Sequence, residues 1–548
     1  MILSTFVRLQ GWRLAKQLDI ATLNPEAAQM SLLYSILAPN AETIFGKEHK
    51  FSHIKTACDY YKSVPIRDYE GFRPYVNRIL AGEKAILTSE SPFMFTLTSG
   101  TTGKPKYIPV TEISEKLGSG LMRQWLYRIL INHPKFLSRA IVGLVSPAIE
   151  GYTESKIPYG SISGRIYQRI PHIIKRSYAV PYSVFELKDY DERYFAIARF
   201  AYGRQVSFIS TPNPTTLLRL AEVATTHKED IIRAIHDGTL GIKLQQKEIT
   251  LTLQRFIKPQ PQRAKQLERI ADNTNALLPK DCWQHLQLIG CWTGGSVGIQ
   301  VQKLATYYGA VPIRDLGYLA SEARITIPYQ DNIPSGILAL TINYYEFIPE
   351  EELDSDNPPI LLSHELELGK RYSILLTTTA GLYRYQIHDI VEVTGFYNQS
   401  PLIAFIRKSQ DMTNITGEKM HVNHILTAME TVRQQFNLAI VTYRFTPDIE
   451  NQRYKIYLEL AQSVEENQLK QIVLVIDSHL CSVNCEYEQK RQSKRLHLPC
   501  LYIMSAGWAE QEMRQEMMNG KRNVQYKWKV LCHEFEPLGY VTASTNSK

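Results

Sequence analysis

The chain lacks the features of membrane, secreted and nucleic-acid-binding proteins. No run of roughly 18 consecutive apolar residues, the length that a membrane-spanning helix needs, is present. The apolar start is broken by Arg8 and has no small-residue cleavage site, so it is typical of an amphipathic helix and not of a signal peptide. There is no basic tail, and a net charge of +8 spread along the chain favours an acidic ligand only weakly. We expect a cytoplasmic protein that binds neither membranes nor nucleic acid.

Cysteine is also scarce. The seven cysteines are odd in number and have no disulfide-framework spacing, which indicates a reducing compartment. Two histidines and three cysteines cluster late in the chain, at His479, Cys481, Cys485, His497 and Cys500, but their spacing matches no common zinc module. We therefore favour structural thiols over a metal site.

A chain of 548 residues is too long for one compact core. After a helix-rich start, short buried runs such as Ala140–Val145, Val206–Ser210, Leu286–Trp292 and Ile337–Ile342 alternate with helical stretches, which is typical of an α/β architecture. From about residue 411 the pattern changes to helix, two alternating strands and helix, with the strands at Ala439–Phe445 and Arg453–Leu460. We predict an α/β fold with a large multi-sheet N-terminal domain at 1–404, including a small β-barrel-like part. A hinge at 405–410 would join it to a small, mobile α+β domain at 411–548.

The segment Phe95–Tyr107 combines hydroxyls, glycines and lysines directly after an apolar run. Glycines let backbone N–H groups turn toward an anion, and hydroxyls can donate to phosphate oxygens. The spacing is not that of a Walker A loop, because only two residues separate the two glycines and Pro105 follows Lys104. The residues that would contact phosphates are Thr98, Ser99, Thr101 and Thr102, with Lys104 and Lys106 as further candidates. The alternative is an ordinary polar hairpin loop.

Three later segments carry polar groups at the ends of apolar runs. Thr293-Gly294-Gly295-Ser296 follows a predicted strand, and a flat ligand could lie against its backbone, although a tight turn explains it equally well. Tyr318, Ser321 and Glu322 offer an aromatic face, a hydroxyl and a carboxylate from one loop, and Glu322 would suit a nucleotide-bound Mg²⁺ unless it is merely solvated.

The third segment, 381–394, places Asp389 among apolar residues, where an acidic side chain can hold ribose hydroxyls or simply form a turn. Near the end of the chain, residues 520–529 form a basic run with aromatics, a pattern that alone is more often a solvated edge than a site.

The order of these segments resembles the acyl-adenylate-forming, firefly luciferase-like superfamily from end to end. More narrowly, the chain resembles the Gretchen Hagen acyl acid amido synthetases, the auxin-responsive-promoter family. The narrower signals are Ser210-Thr-Pro-Asn-Pro-Thr-Thr-Leu-Leu-Arg-Leu220, Cys291-Trp-Thr-Gly-Gly-Ser296, Tyr383-Arg-Tyr385 and Ile415-Thr-Gly-Glu-Lys419. The resemblance implies ATP and Mg²⁺ as cofactors and a small carboxylic acid and an amino acid as substrates. The oligomeric state, monomer or homodimer, stays open.

The resemblance also implies a role for each matching residue. The loop from Thr98 to Thr102 would bind the ATP phosphates, and Thr293 to Ser296 would line the adenine side. Tyr318 would flank adenine, Ser321 would reach the α-phosphate, Glu322 would coordinate Mg²⁺, and Asp389 would hold the ribose hydroxyls with help from Arg407. The family's Gln-Tyr-Lys pattern selects Lys527 over Lys521 as the catalytic lysine of adenylation.

Two further expectations concern domain movement and a departure from the family. Arg407 and Lys408 lie where the chain would pivot between two half-reactions, unless they are only a charged linker. The family usually has glycine before the ribose-binding aspartate, whereas this chain has His388. Because of this departure, the alternative that the chain is a nucleotide- or acid-binding protein without catalytic activity stays open.

The acyl pocket is expected beside the helix that follows the phosphate loop. Arg123 would pair with the carboxylate of the acid, and Trp125 and Tyr127 would pack on its apolar part, with the loop from Ser146 to Gly164 opposite. The alternative is that these aromatics belong to the core. A ligase that passes the acyl group to coenzyme A shares the same adenylation residues and stays open as a second enzymatic reading.

Overall fold

The structure is a computed structural model. The chain forms two compact units, Met1–Phe405 and Ile406–Lys548. It describes residues 2–98, 106–294, 298–353, 355–408, 412–413, 415–416, 418, 420–492, 496–518, 528–535 and 541–544.

Helix α6 (Glu112–Asn132) of the larger unit begins at a capping residue. Thr111 and Ser114 form a reciprocal capping box, in which Ser114 N donates to Thr111 Oγ1 at 3.2 Å and Thr111 N donates to Ser114 Oγ at 3.0 Å. The helices are α1 (Ile2–Ala21), α2 (Pro25–Leu37), α3 (Ile44–Glu48), α4 (Ala57–Ser63), α5 (Tyr69–Leu80), α6 (Glu112–Asn132), α7 (Ile162–Arg169), α8 (His172–Lys175), α9 (Tyr190–Tyr202), α10 (Pro214–Thr226), α11 (Lys228–Asp237), α12 (Lys247–Gln254), α13 (Pro261–Thr274), α14 (Pro279–Cys282) and α15 (Gly298–Tyr308).

The strands of the larger unit form three sheets. They are β1 (Met94–Thr98), β2 (Lys106–Val110), β3 (Ala140–Gly143), β4 (Gly151–Tyr152), β5 (Pro158–Gly160), β6 (Val206–Ser210), β7 (Leu288–Gly290), β8 (Ile313–Arg314), β9 (Thr326–Ile327), β10 (Ser335–Leu338), β11 (Asn343–Pro349), β12 (Leu361–Leu362), β13 (Arg371–Thr378), β14 (Tyr385–Tyr397) and β15 (Ser400–Lys408). The sheet orders are β3-β6-β7-β8, β2-β1-β5-β4 and β12-β11-β13-β14-β15-β10-β9.

The β3-β6-β7-β8 sheet is parallel throughout, so the carboxyl ends of its strands share one edge. Strand β6 has the predicted bounds, whereas β7 is shorter than the predicted Leu286–Trp292. Its flanks make other hydrogen bonds: Leu286 N donates to Trp283 O at 2.9 Å, and Trp292 N donates to Pro212 O at 3.3 Å. The shortened strand leaves Cys291–Gly294 as a loop at the shared edge.

Two apolar cores fill the larger unit. One surrounds the parallel sheet and includes Ile209, and the other packs α1 to α6 against the seven-stranded sheet and includes Phe208. The neighbouring residues Phe208 and Ile209 of β6 therefore belong to different cores. A buried ion pair lies in the second core, where Arg384 Nε is 2.9 Å from Glu346 Oε2. Arg384 also donates to the carbonyls of Tyr61 and Val64, so its guanidinium is well satisfied despite burial.

The smaller unit packs helices on one mixed sheet. Its sheet has the order β18-β19-β20-β21, and a short β16-β17 pair precedes it. The elements are β16 (Met412–Thr413), β17 (Met420–His421), α16 (Val422–Phe436), β18 (Ile440–Asp448), β19 (Arg453–Leu460), α17 (Glu466–Val483), α18 (Cys485–Gln492), β20 (Cys500–Met504), α19 (Trp508–Met518) and β21 (Val541–Ser544). The predicted order of helix, two strands and helix is found at α16, β18, β19 and α17.

The mixed α/β fold class is confirmed, with several sheets in the larger unit. Among the described helices, none combines the length and apolarity needed to cross a bilayer. The described residues likewise contain no cluster of three or more His, Cys, Asp or Glu side chains that could hold a metal ion.

Candidate nucleotide site

Asp315 links two of the predicted site segments. It directly follows β8 and is fully buried. Its Oδ2 accepts hydrogen bonds from Thr293 N at 2.7 Å and Thr293 Oγ1 at 2.5 Å, and its Oδ1 accepts one from Gly317 N at 2.6 Å. Burial raises the pKa of Asp315 to about 6, although these donors oppose the rise. The carboxylate therefore ties the Thr293-Gly294 turn to the Tyr318 loop.

Sequence reasoning missed Asp315. The available signal was its position, an acidic residue at the carboxyl end of a buried parallel strand, where ligand-binding groups of open α/β sheets collect. Gly317 completes the turn that follows, because its φ of +89° lies in the region that favours glycine.

Tyr318 and Asp389, which the sequence places in separate segments, meet in the structure. The Tyr318 hydroxyl donates a short hydrogen bond to Asp389 Oδ2, and both side chains are buried. Burial, followed by the negative charge of Asp389, raises the pKa of Tyr318 well above its ordinary value, so the phenol stays a donor. Tyr318 N donates to Thr326 Oγ1 at 2.9 Å, which fixes the backbone of the loop.

Asp389 projects from an irregularity in β14. In the pairing with β13, Gln386 is opposite Leu375 and Ile390 is opposite Ser373, so three residues of β14 face one residue of β13. His388, within this bulge, has a φ of +60°. Bulges re-aim side chains beside functional sites. Glycine adopts such a left-handed backbone at the least cost, which fits the glycine that the resemblance led us to expect at this position.

Glu322 lies on the same loop as Tyr318 and is tied to the same strand as Asp389. Its Oε1 accepts a hydrogen bond from Tyr385 Oη at 3.1 Å. The loop is closed by Ala320 N donating to Ala323 O at 2.8 Å, so Ser321 and Glu322 occupy its tip. Burial and the Glu322 charge raise the pKa of Tyr385. A half-buried carboxylate at the tip of this loop would fit Mg²⁺, which is usually held by one or two carboxylates plus phosphate oxygens.

The motif Tyr383-Arg-Tyr385 serves three separate contacts. Tyr383 Oη donates to Leu87 O at 2.7 Å, Arg384 pairs with Glu346, and Tyr385 holds Glu322. Sequence reasoning used the motif for recognition but missed the role of Tyr385, because its partner lies 63 residues away.

An aromatic cluster lies beside the Thr293-Gly294 turn. The ring centroid of Phe405 is 5.4 Å from that of Tyr318 and 5.8 Å from that of Trp292. A Cβ added at Gly294 would lie 3.1 Å from the Trp292 ring and 3.6 Å from Phe405 O, so a side chain there would crowd the cluster. Phe405 was not predicted as a site residue.

The two ends of the predicted phosphate loop are fixed by strand pairing. Thr98, the last residue of β1, is paired with Lys106, the first residue of β2. Lys106 Nζ lies 5.5 Å from the centroid of the Tyr69 ring, and Tyr107 N donates to Tyr69 Oη at 2.7 Å. Several predicted site residues lie outside the described residues, namely Ser99, Thr101, Thr102, Lys104, Gly295, Ser296 and Lys527.

The residue that follows Lys527 in sequence is anchored within the smaller unit. Trp528 Nε1 donates to Tyr443 O at 2.7 Å, and Arg444 Nε donates to Lys529 O at 3.1 Å. Phe445 N then donates to Val530 O at 2.7 Å, so this segment runs along β18. Arg407, which also belongs to this unit, is buried and donates from Nη1 to Lys408 O at 3.1 Å.

The three residues predicted to bind the acid point in two directions from α6. Trp125 is buried, and its Nε1 donates to Asp315 O at 2.8 Å, which connects it to the site. Arg123 Nη1 donates to Gln10 Oε1 at 3.3 Å, and Tyr127 packs closely on Gly11, so both contact α1.

Three family models match in chain order. The GH3 family N-terminal domain covers residues 14–313, the central domain 336–408 and the C-terminal domain 423–535. The chain belongs to the GH3 family. The N-terminal model alone spans more than half of this GH3 protein. The resemblance inferred from the motifs is therefore confirmed.

Curated relatives of this GH3 protein include two plant enzymes. It is 23% identical to indole-3-acetic acid-amido synthetase GH3.3 of Arabidopsis thaliana, over 94% of this chain and 91% of the relative. It is 22% identical to jasmonoyl–L-amino acid synthetase JAR4 of Nicotiana attenuata, over 84% of each chain. Among solved structures, GH3.15 acyl acid amido synthetase matches with a TM-score of 0.86 at 18% identity, covering 97% of this chain and 96% of that one. This likeness establishes the fold.

Proposed function

We propose that the protein is an ATP-dependent acyl acid amido synthetase. It joins a small carboxylic acid to the amine of an amino acid through an acyl-adenylate. Membership of the GH3 family and the names of its relatives, which are amido synthetases, support this reaction. The cysteine usage supports a cytoplasmic location.

One observation carries the proposal. Two hydrogen bonds, Tyr318 to Asp389 and Tyr385 to Glu322, tie the 318–322 loop to β14. These bonds hold Asp389, proposed to bind the ribose, and Glu322, proposed to bind Mg²⁺, close to the same loop and strand. Such an arrangement suits a nucleotide whose sugar and phosphates are bound together.

In the first half-reaction, a carboxylate oxygen of the acid attacks the α-phosphorus of ATP. The bond between the α-phosphorus and the bridging oxygen breaks, and pyrophosphate leaves. Mg²⁺ held by Glu322 and phosphate oxygens would supply positive charge at this centre. Lys527 stabilises the negative charge that develops on the α-phosphate, Ser321 contacts the same group, and the 98–102 loop binds the departing phosphates.

In the second half-reaction, the amino acid nitrogen attacks the acyl carbonyl. The bond from the carbonyl carbon to the AMP oxygen breaks, AMP leaves, and the amine proton passes to solvent. Arg407 and Lys408 form the pivot that moves Lys527 between the two steps. Of the three α6 residues, Trp125 is the one that the proposal keeps at the acyl site, because Arg123 and Tyr127 contact α1. Thr293 to Ser296 line the adenine side.

The test is to incubate the protein with ATP, Mg²⁺ and a panel of acids, in the presence of amino acids, of coenzyme A, or of neither. We expect acid-dependent pyrophosphate release and a product whose mass is that of the amide. Formation of a coenzyme A thioester without any amide would contradict the proposal that an amino acid is the acyl acceptor. If the parent protein releases no pyrophosphate with any acid, the result would favour a binding protein without catalysis.

Lys527→Ala is the matched variant. It should lower the rate of pyrophosphate release by at least 100-fold, because it removes charge that is needed only in the transition state. Its affinity for ATP, measured by calorimetry, should stay within about threefold of the parent value. Lys521→Ala serves as the control, and equal losses in both variants would contradict the assignment to Lys527.

A further inference from the structure

A second cavity lies at the opposite edge of the parallel sheet from the nucleotide site. Its volume is about 450 Å³, and its polar lining includes Ser138, Arg139, Arg176, Ser177 and Arg204. Ser138 and Arg139 precede β3, and Arg204 precedes β6, so the cavity is at the amino ends of these strands. Asp315 instead follows the carboxyl end of β8.

The lining carries three guanidinium groups and, among the described residues that form it, no aspartate or glutamate. Arg204 is committed to structure, since its Nη1 donates to Arg176 O at 3.0 Å and Tyr178 O at 2.8 Å. Arg139 and Arg176 are exposed at the rim. Three like charges around one cavity repel each other, and an anion between them removes that cost.

We infer that this cavity binds a phosphate-bearing small anion. Guanidinium groups match phosphate oxygens with paired N–H donors, and a multiply charged phosphate balances three cations better than a monocarboxylate does. The hydroxyls of Ser138 and Ser177 add further donors. Gln205 Oε1, also in the lining, is buried without a hydrogen-bond partner among the described residues, and a protonated phosphate oxygen would supply its missing donor.

The site is separate from the nucleotide site. Strands β3 and β6 have four or five residues and run parallel, so their two ends are about 10–17 Å apart. The inference therefore concerns a second anion and does not depend on the proposed reaction.

Inorganic pyrophosphate is the probe, because it is a phosphate anion of suitable size. It is titrated calorimetrically into the protein after the nucleotide site has been saturated with a non-hydrolysable ATP analogue, at constant ionic strength. We expect one remaining binding event in the parent. The Arg139→Gln/Arg176→Gln variant should weaken it at least tenfold, while affinity for the ATP analogue stays unchanged and reports correct folding.

The Lys265→Gln/Arg269→Gln variant, at two exposed basic residues of α13, is the charge-matched control and should bind pyrophosphate like the parent. Absence of the remaining binding event in the parent would overturn the inference. An affinity that is the same in the double variant and the parent, or that falls equally in the control, would overturn it as well. If the double variant fails to bind the ATP analogue, the single Arg139→Gln variant is measured against the same criteria with at least a threefold weakening expected.

Discussion

The Tyr318 hydroxyl donates to the carboxylate of Asp389, joining residues that lie 71 positions apart in the chain. The bond orients a buried anion toward a loop that also carries Glu322. Tyr385 makes the reciprocal connection from β14 to Glu322. Two tyrosines thus position two carboxylates, and each tyrosine is held neutral by a pKa above its ordinary value.

Replacing Tyr318 with Phe tests this arrangement. The variant keeps the ring but leaves Asp389 without one buried donor, so we expect a loss of about 1–3 kcal/mol in the free energy of unfolding. The KM for ATP should rise about tenfold, because the carboxylate loses its orientation. Urea unfolding and initial rates measure the two effects. Tyr202→Phe, which removes a buried bond to Leu277 O, should lower stability without changing the KM, and a matching KM change there would contradict the prediction.

Asp315 should make stability depend on pH in a defined direction. Its pKa is about 6 in the folded protein and near 3.8 when unfolded, so the folded state binds more protons between these values. The contribution of Asp315 to the free energy of unfolding is therefore fully present below about pH 4 and is lost as the pH rises through about 6. The free energy of unfolding of the parent, relative to Asp315→Asn, should fall by about 3 kcal/mol across this range.

Urea titrations at several pH values from 4 to 8 give that difference directly. Asp272→Asn, at an exposed residue, controls for loss of a surface charge. A flat difference between parent and Asp315→Asn would contradict the raised pKa.

His388→Gly should stabilise the protein. At a φ of +60° an L-residue with a side chain is strained, and glycine removes that strain, so we expect a gain of about 0.5–1 kcal/mol. Asn437→Gly, at a φ of +50° where asparagine is well tolerated, should be nearly neutral. Thermal unfolding measures both. We expect the glycine variant to bind ATP at least as well as the parent, and a tenfold loss would instead assign the imidazole a role.

Arg444 and Glu512 should be energetically coupled. The guanidinium makes two contacts with the carboxylate, at 2.8 and 2.7 Å, and lies 4.4 Å from the Trp528 ring centroid. Arg444→Met should cost about 3 kcal/mol, because the partly buried Glu512 carboxylate loses its guanidinium partner and keeps the hydrogen bond from Trp508 Nε1. Adding Glu512→Gln should cost at least about 1 kcal/mol less than the sum of the single changes. A double-mutant cycle from urea unfolding measures this, and additive values would show that the pair is uncoupled.

Local patterns were sufficient for much of the fold. The apolar run at Val206–Ser210 predicts β6 with the observed bounds, and the pattern from Arg453 to Leu460 predicts β19. The ends of strands were harder to predict. Strand β7 stops at Gly290, and Trp292 N hydrogen-bonds to Pro212 O outside the sheet. The local sequence does not show which distant backbone groups compete for these hydrogen bonds.

For the site, motif order indicated the polar groups but not their partners. Glu322 and Asp389 were assigned from their segments, whereas Asp315, Tyr385 and Phe405 were missed because each acts through residues far away in sequence. The left-handed φ of His388 is likewise set by pairing between β13 and β14 and not by histidine itself.

Phe405 is the last residue of the larger unit, and its ring touches both Tyr318 and Trp292. The proposed pivot at Arg407 and Lys408 lies on the same strand, so we expect a rotation there to displace this ring. The indole of Trp292 is therefore a built-in optical reporter, whose emission should change whenever strand β15 is twisted from its far end. Trp292 emission, recorded over time, would then report the proposed movement without any attached dye.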